Sequence, residues 1–308
     1  MKSILLYASE PFTIGNGISE KIIEDRENLI IITGDLIAKN SEGNKFKYIN
    51  YNYYLDRPPF KIEFNLDKKI QFNLKTKILS YNRKIRAHRK IMCYHILTNP
   101  NLKSNTWLSF GIKSDVNNTT DEINFHQINV LLNNVKETAN ILKFCNSLNE
   151  DITFNTNTKL NTKNLGSKVD WNDFNQSFCS LVTETNIDNN TLFISEKTYK
   201  PIYAQQPFIV LGNPNTLKYL KEIGFKTFDM WWDESYDSET DFKIRLNKII
   251  SIITDIANKS IDELSQIRKD MESVLVHNYK HFLTYEAATD ELKKLGYGKF
   301  EHYNTTLI

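Results

Sequence analysis

Cysteine is scarce in this chain: Cys93, Cys145 and Cys179 are the only three among 308 residues, widely spaced and set in apolar runs. An odd, dispersed set excludes a disulfide framework or a paired zinc site, and it predicts buried thiols in a reducing compartment. Long apolar runs are missing too. None approaches the ~20 residues that span a bilayer, and the stretch at 4–8 is too short for the core of a secretion signal, so a cytoplasmic protein without a transmembrane segment is expected. Nor is there an excess of one charge, since 39 basic and 37 acidic residues leave a formal net charge of +2. That balance gives no footprint for generic nucleic-acid binding beyond a local patch. Finally, no Asp-x-Asp, His-Glu-x-x-His or paired Cys-x-x-Cys occurs, which disfavours a bound metal. What is present, 40% hydrophobic and 12% aromatic residues, supports one large domain or two modest ones with real cores.

Strand and helix signals alternate along the chain. Strands are predicted at 3–8, 29–33 and within 46–54, and a connecting or edge strand at 60–74. Gly15, Gly17 and the residues around them match two of the three glycines of a dinucleotide fingerprint, which is equally the pattern of a plain β-to-α turn. A boundary near residue 76 separates a small first lobe (1–76) from a larger one (77–300). The larger lobe reads as strands at 76–81, 107–110, 178–183, 193–194, 208–211 and 225–228. Helices fall at 86–98, 125–148, 196–204 (kinked by Pro201), 214–223 and 285–295, with two more apolar stripes between them. Gly224 closes one helix, Asn213-Pro214 opens it, and Ser260-x-x-Glu263 is a capping box. The Asn- and Thr-rich 149–168 reads as a surface loop. Such alternation predicts α/β architecture with two Rossmann-like lobes, parallel sheets and a ligand cleft beyond the strand ends.

The most informative stretch is 193–212. Ser195 is a natural N-cap, and the free N–H groups and positive dipole of the helix start favour a diphosphate there, with Lys197 adding a full charge. Glu196 is suited to accept hydrogen bonds from ribose or sugar hydroxyls. A second basic segment lies at 79–89. Arg83 sits in a loop, and Arg86 and Arg89, three apart, share a helical face from which a guanidinium pair can clamp a diphosphate. Each feature has a plainer reading: an ordinary first helical turn for Glu196 and Lys197, and a solvated basic face for the arginines. His88 can donate to a phosphate or simply be structural, and Glu184 can orient sugar hydroxyls or cap a loop. Residues 231–237, Trp-Trp-Asp-Glu-Ser-Tyr-Asp, fit a sugar platform or a structural corner whose carboxylates pair with arginines.

Glu184 after a strand, the Phe-Ile-Ser-Glu-Lys of 193–197 and the strand ending at Gly212 together resemble the donor-binding region of the α1,3-fucosyltransferases. The resemblance covers about residues 76–240. It implies a GT-B fold in which Glu196 and Lys197 contact the nucleotide ribose and diphosphate, with Glu184 near the sugar. The implied reaction is a metal-independent, inverting transfer from a nucleotide-sugar donor to a glycan or other hydroxyl acceptor, and the sugar nucleotide is a co-substrate rather than a cofactor. In that family the base is a glutamate after a first-lobe strand, and here Glu10 and Asp35 both follow apolar strands. The chain is also similar to phage and marine-microbial proteins classed as glycosyltransferases. These share the Arg-x-x-Arg-x-His-Arg element and the segments at 224–228 and 233–237. A viral source would put the protein in the host cytoplasm.

The expectation is therefore a glycosyltransferase whose cations from two separate stretches meet at one pyrophosphate pocket. A nucleic-acid-binding protein using 83–90 is the alternative from a different class, and a viral enzyme that glycosylates DNA bases combines the two.

Overall fold

Leu29–Thr33 is a run of five apolar or β-branched residues, and all five are buried in β2, the centre of a three-stranded parallel sheet with β1 (Ile4–Tyr7) and β3 (Phe46–Asn50). The structure is a computed structural model describing residues 4–7, 29–39, 46–82, 84–111, 121–153 and 168–296. Glu10, Arg83 and the Gly15–Gly17 turn lie outside them. A second sheet has the order β6-β5-β4-β7-β8, from β4 (Thr76–Asn82), β5 (Thr106–Phe110), β6 (Ile152–Thr153), β7 (Ser177–Thr183) and β8 (Phe208–Leu211). Four of its strands run parallel, and β6 is an antiparallel edge. β5, β7 and β8 are buried at every residue, as expected of parallel strands covered on both faces. The α/β class and parallel sheets predicted from the alternation are thus present.

Helices fill the intervals. In the second half of the molecule α2 (Ala87–Thr98) follows β4, α3 (Pro100–Asn105) precedes β5, and α4 (Asp121–Leu132) and α5 (Val135–Asn146) lie beyond it. Next come α6 (Trp171–Gln176), α7 (Glu196–Tyr203), α8 (Thr216–Glu222), α9 (Phe242–Asn258), α10 (Ile261–Asp270), α11 (Glu272–Thr284) and α12 (Asp290–Lys294); α1 (Tyr53–Asp56) sits after β3. The main core joins the second sheet to α2, α7, α9 and α11 through side chains such as Ile78, Ile91, Tyr199, Ile209, Ile249 and Phe282. A smaller core seats Ala288 and Leu292, at the chain's far end, on Ile30, Ile32, Ile49 and Tyr51 of the first sheet region. All three cysteines are free, buried thiols. Among the described residues no helix is long and apolar enough to cross a membrane.

Several expected elements are absent, each because its backbone is bound by something other than a ladder. Residues 225–228 form no strand: Lys226 N–H donates to Asn278 Oδ1 and Phe228 N–H to Glu234 Oε1, so β8 remains the sheet edge. Phe193 N–H is taken by Asn213 Oδ1, which removes the strand at 193–194. The segment 60–74 is irregular, held by Tyr203, Gln205 and Tyr279 side chains. β3 ends at Asn50, and α1 replaces the strand's predicted tail. The helix expected at 125–148 breaks in two where Asn133 takes φ 47° and Asn134 caps α5 by accepting from Glu137 N–H. The C-terminal helix starts at Asp290 rather than 285, capped by Thr289.

α8 starts two residues after Pro214, and Asp237 serves its first turn by accepting from Leu217 N–H and Lys218 N–H. Gly224 closes that helix at φ +97°, and the capping box at Ser260 and Glu263 is formed.

What positions the site is the seam between β4 and β7. Its ladder runs from Thr76 opposite Ser177 to Leu79 opposite Ser180, and the last three residues of each strand continue without registered partners across the seam. Side chains bridge the tips instead. Thr183 Oγ1 donates to Asn82 Oδ1, Asn82 Nδ2 to Ser80 Oγ and Ser80 Oγ to Leu181 O. A buried, satisfied chain of this kind holds the opening in one shape.

Candidate functional site

Where β4 and β7 part, the structure leaves a cavity of about 280 Å³. The chain exits β4 toward β5 on one side and β7 toward β8 on the other. Open α/β sheets hold their ligands beyond the carboxyl ends of strands at such a switch point. Leu79 and Tyr81 of β4 and residues 180–183 of β7 form the floor, with Phe174 of α6 and Pro201 of α7. Tyr54 and Phe193 add two more aromatic walls. Aromatic faces over an apolar floor suit a planar ring.

Among the described residues five cations, Lys84, Arg86, Arg89, Lys197 and Lys200, border this cavity against a single carboxylate, Glu196. They come from the two stretches that the sequence singled out, the start of α2 and the start of α7. Arg86 is the N-cap residue of α2, so the helix's N-terminal dipole adds to the positive field there. Lys197 Nζ donates to Ser195 Oγ at 2.9 Å and Thr185 Oγ1 at 3.2 Å and lies 3.3 Å from Glu196 Oε1. Burial works against the Glu196 charge, but Lys197 and Lys200 overcome it and hold the carboxyl below its ordinary range. It stays an acceptor. Lys200 is 6% exposed, and burial pushes its ammonium down to about 8 despite Glu196.

Other predicted residues are placed behind the wall. Glu184 is fully buried, and its carboxylate accepts from Ser195 N–H (3.1 Å), Ser195 Oγ (2.6 Å), Thr198 Oγ1 (2.6 Å) and Thr185 N–H (3.1 Å). It orders the first turn of α7 and does not line the cavity. Ser195 caps α7 as expected, with its hydroxyl accepting from Lys197 N–H at 3.4 Å.

His88 is buried and neutral; burial, then the nearby Arg89, hold it well below its ordinary pKa. Its Nε2–H donates to Glu184 O at 2.9 Å. Arg89 borders the cavity but does not form the expected clamp. Nη1 donates to Lys84 O and Nη2 to Thr183 O and Glu184 O, all at 3.0 Å, so its planar fork staples the strand tips. Burial pushes it down to about 10.

Asp35 lies two residues beyond β2 and is 2% exposed, and its carboxylate accepts from Leu192 N–H and Ile37 N–H. Burial raises its pKa, yet it does not reach the cavity and instead anchors the segment that leads into α7.

Lys200 escaped the sequence reading, although its spacing of four from Glu196 puts both on one helical face. Tyr81 gave no such signal. Its hydroxyl donates to the buried Asp173, whose own carboxyl burial pushes up to about 6. Among the described residues no group of three or more His, Cys, Asp or Glu is placed to hold a metal. No protein-family model and no curated protein matches the sequence.

Proposed function

We propose that the cavity binds the diphosphate of a nucleotide-activated sugar, and that the protein transfers the sugar to an acceptor hydroxyl as a GT-B-like enzyme of two lobes. The convergence of cations from the starts of α2 and α7 on one cavity carries the reading. In the reaction the acceptor oxygen bonds to the anomeric carbon, the bond from that carbon to the diphosphate breaks, and the acceptor's proton passes to a carboxylate. Negative charge then gathers on the departing diphosphate, where Arg86, Lys197 and Lys200 with the helix N-termini would stabilise it, so no metal is required. Glu196, kept ionised, would accept from ribose or sugar hydroxyls, and the aromatic walls would face the base. Inversion follows if attack comes from the face opposite the leaving group. The first sheet would stand on the acceptor side and supply the base; of the two expected carboxylates Glu10 is the candidate, since Asp35 is buried and bonded to backbone N–H groups.

The nucleic-acid alternative draws less support, because His88, Arg89 and Lys90 are buried rather than spread as a phosphate-binding face. The test is melting in the presence of UDP, GDP, CDP and their common sugar conjugates. A ligand at ~100 times its Kd adds ~2.7 kcal/mol of stability, so at least one should raise the midpoint by several degrees, and Lys197→Ala should abolish most of the rise. No response to any of these ligands, or an undiminished response in the variant, overturns the assignment.

A further inference from the structure

Trp231 and Trp232 stand in a loop that the donor site does not use. They border a second cavity, of about 530 Å³, at the opposite end of β7, where Phe178 forms part of the floor and α9 and α10 form the walls. Both indoles pack on Phe228, and polar contacts hold the loop's backbone. Glu234 accepts from Phe228 N–H (2.7 Å) and Thr227 Oγ1, Lys221 pairs with Glu234 and Asp229, and Asp237 holds the start of α8. The carboxylates expected to meet arginines are thus taken by backbone N–H groups, a hydroxyl and a lysine.

The indoles are left half-exposed at the cavity, and the buried Nε1 of Trp232 finds no acceptor.

The charges around this cavity nearly balance, with Asp233, Asp255 and Glu263 against Lys248 and Lys259. An anion has no advantage here, in contrast to the first cavity. Ser251, Asp255 and the Nδ2 of Asn258, whose Oδ1 already accepts from Asn101 Nδ2, offer both donors and acceptors along α9, and Asp255 makes no ion pair with any described residue. Flat, electron-rich rings and mixed donors and acceptors lining one cavity match a ligand with C–H faces and hydroxyl edges. The volume lies within the ~300–1,000 Å³ of small-molecule sites.

We propose that this cavity is a binding site for a neutral oligosaccharide, with pyranose rings seated on Trp231 and Trp232 and hydroxyls bonded to α9. It stands whether or not the nucleotide site is correctly assigned.

Titration of the full chain with maltohexaose, cellohexaose and chitohexaose, followed by indole emission and by heat, tests it. At least one should bind, and Trp231→Ala should weaken that binding about tenfold or more, ~1.4 kcal/mol, while leaving any nucleoside-diphosphate response unchanged. Asp255→Ala should weaken it less. If Trp231→Ala does not fold, Ser251→Trp, which fills the cavity from an exposed position, carries the same expectation. Binding of none of the three sugars, binding that survives these changes, or binding of choline in their place overturns the proposal.

Discussion

Replacing Glu184 by glutamine separates a structural carboxylate from one that holds substrate. Each carboxylate oxygen receives one backbone N–H, Ser195 N–H on Oε1 at 3.1 Å and Thr185 N–H on Oε2 at 3.1 Å. Each also receives one hydroxyl. Hydroxyls can rotate to suit an amide, but backbone N–H groups cannot. Whichever way the new amide is turned, its NH2 faces a fixed donor and leaves it unsatisfied in a fully buried position. An orphaned buried donor costs ~1–3 kcal/mol, and exchanging a charged acceptor for a neutral one costs ~1 kcal/mol more, so Glu184→Gln should lower stability by ~2–4 kcal/mol.

Denaturant unfolding at neutral pH measures this through the midpoint at constant slope. Because the same carboxylate fixes Ser195, and Ser195 Oγ receives Lys197 Nζ, nucleotide affinity should fall along with stability. If the variant unfolds at the wild-type midpoint yet loses nucleotide affinity, Glu184 touches the ligand and its structural role is wrong.

Two further outcomes follow from single residues. Lys200, held down to about 8 by burial, loses its charge as pH rises through that value, so nucleoside-diphosphate affinity should fall by up to about tenfold per pH unit above 8. Lys200→Arg should flatten the profile measured by calorimetry. For the ligand-free protein the sign is opposite. The unfolded chain holds the proton up to its ordinary 10.5 while the fold releases it near 8, so Lys200 makes stability rise with pH across that window. Gly224→Ala should cost ~2–4 kcal/mol in denaturant unfolding, because φ is +97° and an added Cβ lies 2.9 Å from the His281 ring, itself tied to Ile223 O.

The strands at 29–33 and 208–211 were legible because buried parallel strands are short, nearly continuous apolar runs, and the start of α7 was legible because Ser195 carries its own cap. Residues 193–194 and 225–228 have the same apolar character, yet form no strand. What decides against them is an amide or carboxylate from elsewhere in the chain, Asn213 and Asn278 among them, occupying the backbone groups that a ladder would need. Periodicity carries no information about such partners.

The site divides in the same way. That Arg86 and Lys197 border one cavity could be inferred, since both open helices that follow strands of one sheet. That Arg89 grips carbonyls at 84, 183 and 184, and that Glu184 points inward, could not. Those bonds join residues as many as 95 positions apart.

The two roles are linked physically. Arg89 is held by the strand tips and Lys197 by Ser195 and Thr185, so both charges are fixed in place before any ligand arrives. Fixing them raises the free energy of the empty protein. Burial and Arg86 disfavour the charged form of Arg89, burial and Arg89 that of His88, burial and Lys197 that of Lys200, and among the described residues one carboxylate borders the cavity. A neutral ligand would leave that repulsion as it stands. On the proposed reading a diphosphate would relieve it, and would relieve it further as charge built on the leaving oxygen, so the same imbalance that weakens the resting fold would favour the transition state over the bound substrate.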